Sequence, residues 1–158
     1  MTRRRKKPYF ERIDGSPDPI IFEIKRRVHF SEVDVMSIAW HGRYSAYFEE
    51  VNTEIGRRCG LSYKDFCEAN LQAPIVEFHI DYYMPLYLDE EFTIRGILHW
   101  HDGSRLNTEY HLLKEDGTIA ARGYTKQLII ESNSWEVCIV SPDLLEKCRK
   151  RWKSGEFY

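Results

Sequence analysis

The sequence predicts a single α+β domain in which one long helix packs against an antiparallel β-sheet. Two observations carry this prediction. Over residues 42–59 the apolar side chains recur at the three- and four-residue spacing of one helix face. Over residues 73–131 they alternate with polar residues, in runs separated by short turns rich in glycine, aspartate and asparagine. Such turns join antiparallel strands. The chain has 158 residues, which is enough for one domain with a sizeable core.

The composition is that of a soluble globular protein. Apolar residues make up 42% of the chain and charged residues 30%, which argues against a disordered chain. The formal net charge of −2 provides no general attraction to nucleic acid. No apolar run has the length of a signal-peptide core or a membrane span, and the 4 cysteines form no CxxC pair. We therefore expect a cytoplasmic protein with no nucleic-acid partner and no stable membrane insertion.

The N-terminal end differs from the rest of the chain. The basic run from Arg3 to Lys7 precedes a stretch rich in proline, glycine, aspartate and serine, which is typical of turns and linkers. A basic tail can bind nucleic acid or anionic lipid, but a solvated chain end is the commoner case. We expect residues 1–19 to form a flexible basic extension, residues 20–140 the folded domain, and residues 141–158 a C-terminal helix and tail.

The first half of the domain predicts a strand followed by helices. Residues 20–30 alternate loosely between apolar and polar side chains and predict the first strand. The long helix then runs from about Gly42 to Cys59. Gly60 is suited to the left-handed backbone conformation that ends a helix, which we call a left-handed stop. Ser62 is a suitable N-cap for a short helix within residues 61–70.

The second half predicts strands that are neighbours in the sheet because they are neighbours in sequence. The run from Ser141 to Asp143 resembles a helix start, with a serine N-cap and a proline in the first turn, and predicts a C-terminal helix to about Trp152. The predicted strands cover residues 76–84, 90–100, 105–114, 118–131 and 135–140.

A loop with one acid and one histidine leads into the long helix. Phe30, Asp34, His41 and Tyr44 form the pattern F-x-x-x-D-x-x-x-x-x-x-H-x-x-Y. The start of a helix presents unpaired N–H groups and the positive end of the helix dipole. Such a place can hold an anion or stabilise a developing oxyanion. This loop is therefore the candidate site.

The same pattern, followed by the helix segment YFEEVNTE over residues 47–54, resembles the 4-hydroxybenzoyl-CoA thioesterase family. Within it, the similarity points to the short acyl-CoA thioesterases found with the Tol-Pal system in bacteria. The stretch IDYYMPLYLDEEFTIRG, residues 80–96, is similar to a second segment of that family. The resemblance covers roughly residues 22–140.

The resemblance implies a hotdog fold over residues 20–140, in which a long central helix is wrapped by an antiparallel β-sheet. It implies an acyl-CoA thioesterase that assembles as a homodimer or homotetramer, with active sites between subunits. Coenzyme A is then part of the substrate, and no separate cofactor is expected.

Asp34 and His41 are the expected catalytic residues, because they match the acid and the histidine of the family. Thioester hydrolysis needs an attacking water or carboxylate and a stabilised oxyanion. Asp34 is expected to act as nucleophile or as general base, and the sequence leaves both paths open. The backbone N–H of His41 is suited to polarise the carbonyl, and its imidazole to move protons or orient water.

Three residues are expected to bind substrate. Trp40 directly precedes the histidine, and Tyr44 lies one turn beyond it, where a tyrosine contacts either the acyl group or the core. Arg105, together with Arg122 and Lys126 on the late strands, is suited to bind the phosphates of coenzyme A.

No metal is expected. His99 and His101 share one strand face, but no third ligand follows at a suitable spacing.

Two alternatives to an acyl-CoA thioesterase remain open. The first is a thioesterase that acts on acyl carrier protein, which would need a basic rim around its pocket because the carrier is acidic. The second is a non-catalytic hotdog module that binds an acyl ligand, against which the presence of both Asp34 and His41 argues.

Overall fold

The structure of the protein is a computed structural model that describes residues 7–158. Most of the basic run from Arg3 to Lys7 therefore lies outside the described residues. The described chain forms a five-stranded antiparallel sheet, a separate two-stranded sheet and three α-helices. No helix within residues 7–158 is both long and apolar enough to cross a membrane.

The elements follow the predicted order, with short 3₁₀ turns at Phe30–Glu32 and His41–Arg43 before the first helix. The helices are α1 (Tyr44–Cys59), α2 (Tyr63–Glu68) and α3 (Asp143–Lys153). The strands are β1 (Ile20–Arg27), β2 (Leu71–Gln72), β3 (Ile75–Tyr82), β4 (Glu91–His99), β5 (Arg105–Lys114), β6 (Ile119–Leu128) and β7 (Ile130–Glu131).

The strand order in the large sheet is β1-β4-β5-β6-β3, so the prediction that β3 and β4 are neighbours is wrong. The segment between these strands makes no tight turn. Its backbone instead bonds to the loop before α1: the Ala39 N–H donates to the Leu86 carbonyl at 2.7 Å, and the Leu88 N–H donates to the Ser37 carbonyl at 2.9 Å. The segment thus carries the chain from one edge of the sheet to the strand beside β1.

Helix α1 packs closely on one face of the sheet, which we call the inner face. Phe48 stacks on Tyr110 of β5 with ring centroids 4.4 Å apart. Gly123 of β6 makes this approach possible, because a Cβ at that position would come within 2.6 Å of the Phe48 ring. The left-handed stop predicted at Gly60 is confirmed by its φ of 71°.

The other side of α1 is open. Ala46, Glu49, Thr53 and Arg57 are exposed along it. The sheet of one chain therefore covers one side of the helix and does not enclose it.

Three local predictions need correction. The strand predicted over residues 135–140 is absent from the described chain apart from a single bridge between Ile130 and Val137. The fourth predicted strand breaks after Leu128, and Ile130–Glu131 pairs with Leu71–Gln72 as the small sheet. Helix α3 has Pro142 as its N-cap residue, one position later than predicted.

The face of the sheet opposite α1, here called the outer face, carries charged and aromatic residues. Part of the N-terminal extension lies against it. The Tyr9 ring contacts Tyr124 at 5.0 Å between centroids, and the Phe10 ring contacts His99 at 5.2 Å. The segment that contains Tyr9 and Phe10 is therefore attached to the domain.

Candidate active site

A cavity of about 320 Å³ opens where the loop before α1 meets the end of β3. Asp34, His41 and Tyr44 all line it, so three of the five site residues expected from the sequence lie together. The rest of the wall is aromatic and apolar. It consists of Met36, Ile38, Ala39, Tyr82, Tyr83, Met84 and Pro85.

Asp34 sits at the tip of a tightly bonded loop. Its Oδ1 accepts the Met36 N–H at 2.8 Å, and its own N–H donates to the Ile38 carbonyl at 3.0 Å. Ser37 adopts the left-handed φ of 58° that closes the turn. No side chain in residues 7–158 donates a hydrogen bond to the Asp34 carboxylate. The acid is thus held in place by backbone and left open on the cavity side.

A buried ion pair anchors this loop to β1, and sequence reasoning missed it. Arg26 Nη1 donates to Glu32 Oε1 at 2.6 Å, while its Nε donates to Glu50 of α1 at 2.9 Å. Burial alone would raise the pKa of Glu32, but the hydrogen bonds from Arg26 and from the His29 N–H, together with the positive charge of Arg26, outweigh it and lower the pKa. The Glu32 carbonyl also accepts the Trp40 N–H at 2.8 Å. No spacing in the sequence marks these residues as partners.

His41 begins the 3₁₀ turn that leads into α1, and its side chain is exposed. Its carbonyl accepts a hydrogen bond from the Tyr82 hydroxyl at 3.3 Å. The first N–H groups of such a turn have no partner inside it. A donor for a developing oxyanion is therefore available at the rim of the cavity.

Trp40, expected to bind substrate, is not among the residues that line the cavity. Its ring centroid lies 5.0 Å from that of His41. The indole also covers Gly42, where a Cβ would come within 2.3 Å of it. Trp40 therefore packs behind His41, and glycine at position 42 makes room for it.

Tyr44 is buried, and its ring meets that of Tyr82 edge to face with centroids 4.9 Å apart. Burial, followed by the proximity of Tyr82 and Asp34, raises the pKa of Tyr44 to about 12. The phenol is therefore a neutral donor at physiological pH. Tyr44 is thus a core residue that also lines the cavity, and its contact with an acyl group stays a prediction.

The cations expected to bind phosphates lie elsewhere. Arg105 begins β5, at the opposite end of the sheet from Tyr82. Arg122 is buried on the outer face and donates to Glu109 at 2.8 Å, and Lys126 pairs with Glu77 at 2.8 Å. Arg122 and Lys126 therefore each pair with a carboxylate, and their role in binding coenzyme A stays a prediction.

A second group of acid and histidine side chains lies on the outer face. Glu109 is 6% exposed. Its carboxylate contacts His99 Nε2 at 2.9 Å and His111 Nε2 at 2.7 Å, in addition to the bond from Arg122. Burial alone would raise the pKa of Glu109, but these hydrogen bonds hold it well below its ordinary range. The sequence contains no motif that signals this group.

His101 does not join His99, although the two were expected on one strand face. His101 Nδ1 instead accepts the Gly103 N–H at 2.8 Å and closes the turn after β4. Within residues 7–158 no group of three or more histidine, cysteine, aspartate or glutamate side chains is arranged so that it could hold a metal ion.

The comparison with known families matches residues 28–148 to the thioesterase-like superfamily. A curated relative from Aquifex aeolicus (strain VF5), named "Putative esterase", is 27% identical over 125 residues, which are 79% of this chain and 95% of the relative.

Solved structures show the same fold. The DHNA-CoA thioesterase from Staphylococcus aureus superposes with a TM-score of 0.74 at 19% identity, over 86% of this chain and 93% of that one. A hypothetical protein from Staphylococcus aureus, solved in complex with CoA, gives a TM-score of 0.75 at 20% identity, over 88% and 86% of the two chains. With its antiparallel sheet packed on α1 and a family match over most of its length, the chain is a hotdog-like protein that belongs to the thioesterase-like superfamily.

Proposed function

We propose that the protein is an acyl-CoA thioesterase, which hydrolyses an acyl-CoA thioester to a free acid and coenzyme A. The observation that carries the proposal is the meeting of Asp34 and His41 on one cavity at the start of α1. A carboxylate beside a helix start combines a base with a place for an oxyanion. The membership of the thioesterase-like superfamily supports the same reaction class.

In the proposed reaction the thioester carbonyl lies between Asp34 and the start of α1. Asp34 takes a proton from a water molecule whose oxygen attacks the carbonyl carbon. The oxyanion that forms is stabilised by the N–H groups of the first turn, including that of His41. When the C–S bond breaks, the thiolate of coenzyme A takes up the proton that Asp34 accepted from water and leaves as the free thiol, which restores the Asp34 carboxylate. Direct attack by the Asp34 carboxylate, through a mixed anhydride that water then hydrolyses, is the other path open to the same geometry.

The acyl group is proposed to occupy the aromatic and apolar cavity. Tyr44, Tyr82 and Tyr83 supply flat apolar surfaces with hydroxyl groups at their ends, while Met36 and Met84 offer adaptable side chains. Two similar structures are those of a DHNA-CoA thioesterase and of a hypothetical protein in complex with CoA. They support a CoA thioester as substrate, and the reaction needs no cofactor beyond it.

A panel of acyl-CoA thioesters with short, long and aromatic acyl groups tests the proposal by release of free thiol. We expect hydrolysis of at least one member, with loss of activity in the Asp34→Asn variant. If the purified protein leaves every member intact but binds one of them, it is an acyl-binding module and not an enzyme. Preference for acyl carrier protein over all CoA thioesters would assign it to the first alternative.

We further propose that the active form is a homodimer or a larger assembly built on β3. This strand is an edge of the sheet, and Ile75, Val76 and Phe78 are exposed on it. Long unpaired edges with apolar side chains are hazards that proteins pair or cover. Pairing β3 with its mate in a second chain would also bring the two cavities beside the interface.

Light scattering coupled to size exclusion tests this assembly. We expect at least twice the chain mass of 18.9 kDa, and an interface of about 2,000 Å² or more, as obligate dimers have. Full hydrolytic activity in a sample that scatters as a monomer would contradict the proposal.

A further inference from the structure

An N-terminal strap, residues 9–18, precedes β1 and is attached to the rest of the domain at both ends. At one end the Asp18 carbonyl accepts hydrogen bonds from Trp152 Nε1 of α3, at 2.8 Å, and from the Tyr158 hydroxyl. At the other end Tyr9 contacts β3 and β6 on the outer face of the sheet. The strap precedes the residues that match the thioesterase-like superfamily. Its role therefore does not follow from membership of the family.

Tyr9 is held by several contacts at once. Its hydroxyl donates to Asp81 Oδ2 at 2.5 Å. The Arg122 guanidinium lies over its ring, with the central carbon 4.5 Å from the ring centroid. The rings of Tyr124 and His79 lie 5.0 and 5.7 Å away between centroids. Burial and the hydrogen bond to Asp81 raise the pKa of Tyr9, so that its hydroxyl stays protonated and continues to donate. The ring is thus held by aromatic and cation–π contacts as well as by the hydrogen bond.

Asp81, which Tyr9 binds, lies on the strand that also forms a wall of the cavity. Successive side chains of a strand point to opposite faces, so Asp81 faces the strap while Tyr82 faces the cavity. The Tyr82 ring meets Tyr44 edge to face, and the Tyr82 hydroxyl donates to the His41 carbonyl at 3.3 Å. Tyr82 therefore links the end of β3 to the turn that offers N–H groups to an oxyanion.

The contact with Tyr9 comes directly before the point where the pairing of β3 ends. This strand lies at an edge of the sheet and pairs with β6 alone. Its regular pairing stops at Tyr82, opposite Ala121. The Tyr82 side chain is 52% exposed, so that packing restrains it only in part. Strand ends open more readily than strand centres. A bond to Asp81 therefore restrains the part of β3 that most needs it.

We propose that Tyr9 is a positioning residue for the candidate active site, which holds the end of β3 from the outer face so that Tyr82 keeps its contact with His41. The proposal rests on the proposed thioesterase function and adds a residue from outside the active-site loop. Without the bond to Asp81 the end of β3 moves more, and the bond from Tyr82 to His41 forms for a smaller fraction of the time. The turn before α1 is then less well oriented toward the oxyanion, which lowers kcat more than it raises KM.

Tyr9→Phe tests this role, because it keeps the ring and removes only the hydroxyl. We expect kcat for an acyl-CoA thioester to fall about threefold, in the range of one hydrogen bond, with KM changed by less than about twofold. The matched control is Tyr158→Phe, which removes a hydroxyl from the other end of the strap and should leave both constants unchanged. An unchanged kcat in Tyr9→Phe would overturn the proposal, as would an equal fall in the two variants.

A double-variant cycle separates positioning from a general loss of structure. Tyr82→Phe removes the hydroxyl that bonds to His41, and we expect kcat to fall about fivefold. If Tyr9 acts through Tyr82, the variant with both substitutions should also lose only about fivefold, because the two changes break one path. A loss of about fifteenfold, the product of two independent effects, would overturn the proposal.

Amide hydrogen exchange tests the proposal without any hydrolysis. The N–H groups of Ala39, Tyr83 and Met84 are hydrogen-bonded, and all three residues line the cavity. In Tyr9→Phe we expect the peptides that contain them to exchange faster than in the parent, with unchanged exchange at the centre of β5. This result would support the positioning role even if no thioester is cleaved, an outcome that would count against the proposed reaction alone. Unchanged exchange in these peptides, or faster exchange throughout the sheet, would overturn the role of Tyr9.

Discussion

The outer face of the sheet and the cavity at the start of α1 each contain an acid with histidine nearby, and the two acids differ in how their hydrogen bonds are used. On the outer face, Glu109 is buried and its carboxylate contacts His99, His111 and Arg122. In the loop before α1, Asp34 accepts one backbone N–H and faces a cavity. A carboxylate whose oxygens are already bonded by three side chains has little capacity left to accept a proton from a substrate.

The comparison separates a structural acid from a candidate catalytic acid. Asp34 with His41 and Glu109 with its two histidines both have the residue types of a catalytic pair. Residue type alone therefore does not tell the two groups apart. Among residues 7–158, Asp34 is distinguished by open space beside its carboxylate and by having no lysine or arginine in a salt bridge with it, whereas Glu109 pairs with Arg122. The following predictions test whether this distinction holds.

The largest effect is expected from Asp34→Asn, which keeps the shape of the side chain and removes its charge and basicity. We expect kcat to fall roughly a hundredfold or more, the size of general-base contributions, with an unchanged midpoint of urea unfolding. Steady-state hydrolysis and equilibrium denaturation measure the two quantities. If Asp34→Asn is as active as the parent, the acid is structural and the comparison fails.

Glu109→Gln is expected to lower the free energy of unfolding and to leave kcat nearly unchanged, which is the opposite of the effect expected for Asp34→Asn. Replacing the buried carboxylate leaves Arg122 without its charged partner, which typically costs about 3 kcal/mol or more of unfolding free energy. Urea denaturation should show this loss, while kcat of the folded variant should stay within about twofold of the parent. A large loss of kcat without loss of stability would place Glu109 in the reaction.

The pH dependence of stability provides a second test of Glu109. Because its pKa is lower in the folded state than its ordinary value of 4.5, its stabilising effect is present above that value. The effect is lost as pH falls toward the folded-state pKa. The difference in unfolding free energy between parent and Glu109→Gln should therefore shrink as pH is lowered below the ordinary value. If the difference in unfolding free energy instead grows as the pH is lowered, Glu109 does not stabilise the fold through its charged form.

His41→Ala is expected to have a smaller effect on kcat than Asp34→Asn. If His41 contributes mainly through its backbone N–H at the helix start, removal of the imidazole should cost about tenfold or less. The comparison is made by kcat of the two variants under the same conditions. Equal and near-complete losses would instead show that the imidazole is an essential acid or base.

Tyr44→Phe is expected to have the smallest effect. Its pKa of about 12 keeps the hydroxyl protonated at neutral pH, so that the substitution removes a donor and no charge. We expect kcat/KM to fall a few-fold, with a flat dependence on pH between about 6 and 9 relative to the parent. Appearance of a new pH dependence in that range would show that Tyr44 takes part in proton transfer.

Local sequence patterns predicted most of the helices and strands. They did not predict contacts between residues that are far apart in the sequence. The spacing from Tyr44 to Cys59 marked α1, and Gly60 and Ser62 marked the ends of helices by their own conformational and capping chemistry. The position of β3 beside β6 was missed, because strand neighbours depend on where a long connection goes.

The residues of the candidate site also fall into two groups, those that the sequence predicted and those that it did not. Asp34, His41 and Tyr44 are close in sequence and were found, whereas the anchor formed by Arg26 and Glu32 depends on a strand and a loop coming together. The ion pairs of Arg122 with Glu109 and of Lys126 with Glu77 could not be predicted, because the carboxylates come from other strands.

The strand order also has a consequence for the route by which the protein folds. Strands β4, β5 and β6 are joined by short connections and form a local unit. Strands β1 and β3 add to the two sides of this unit across long stretches of chain, which makes their pairing slow relative to a hairpin. The cavity wall includes the end of β3 and the loop that follows β1. We therefore expect the active site to form only in the last stages of folding, after the central hairpins are complete.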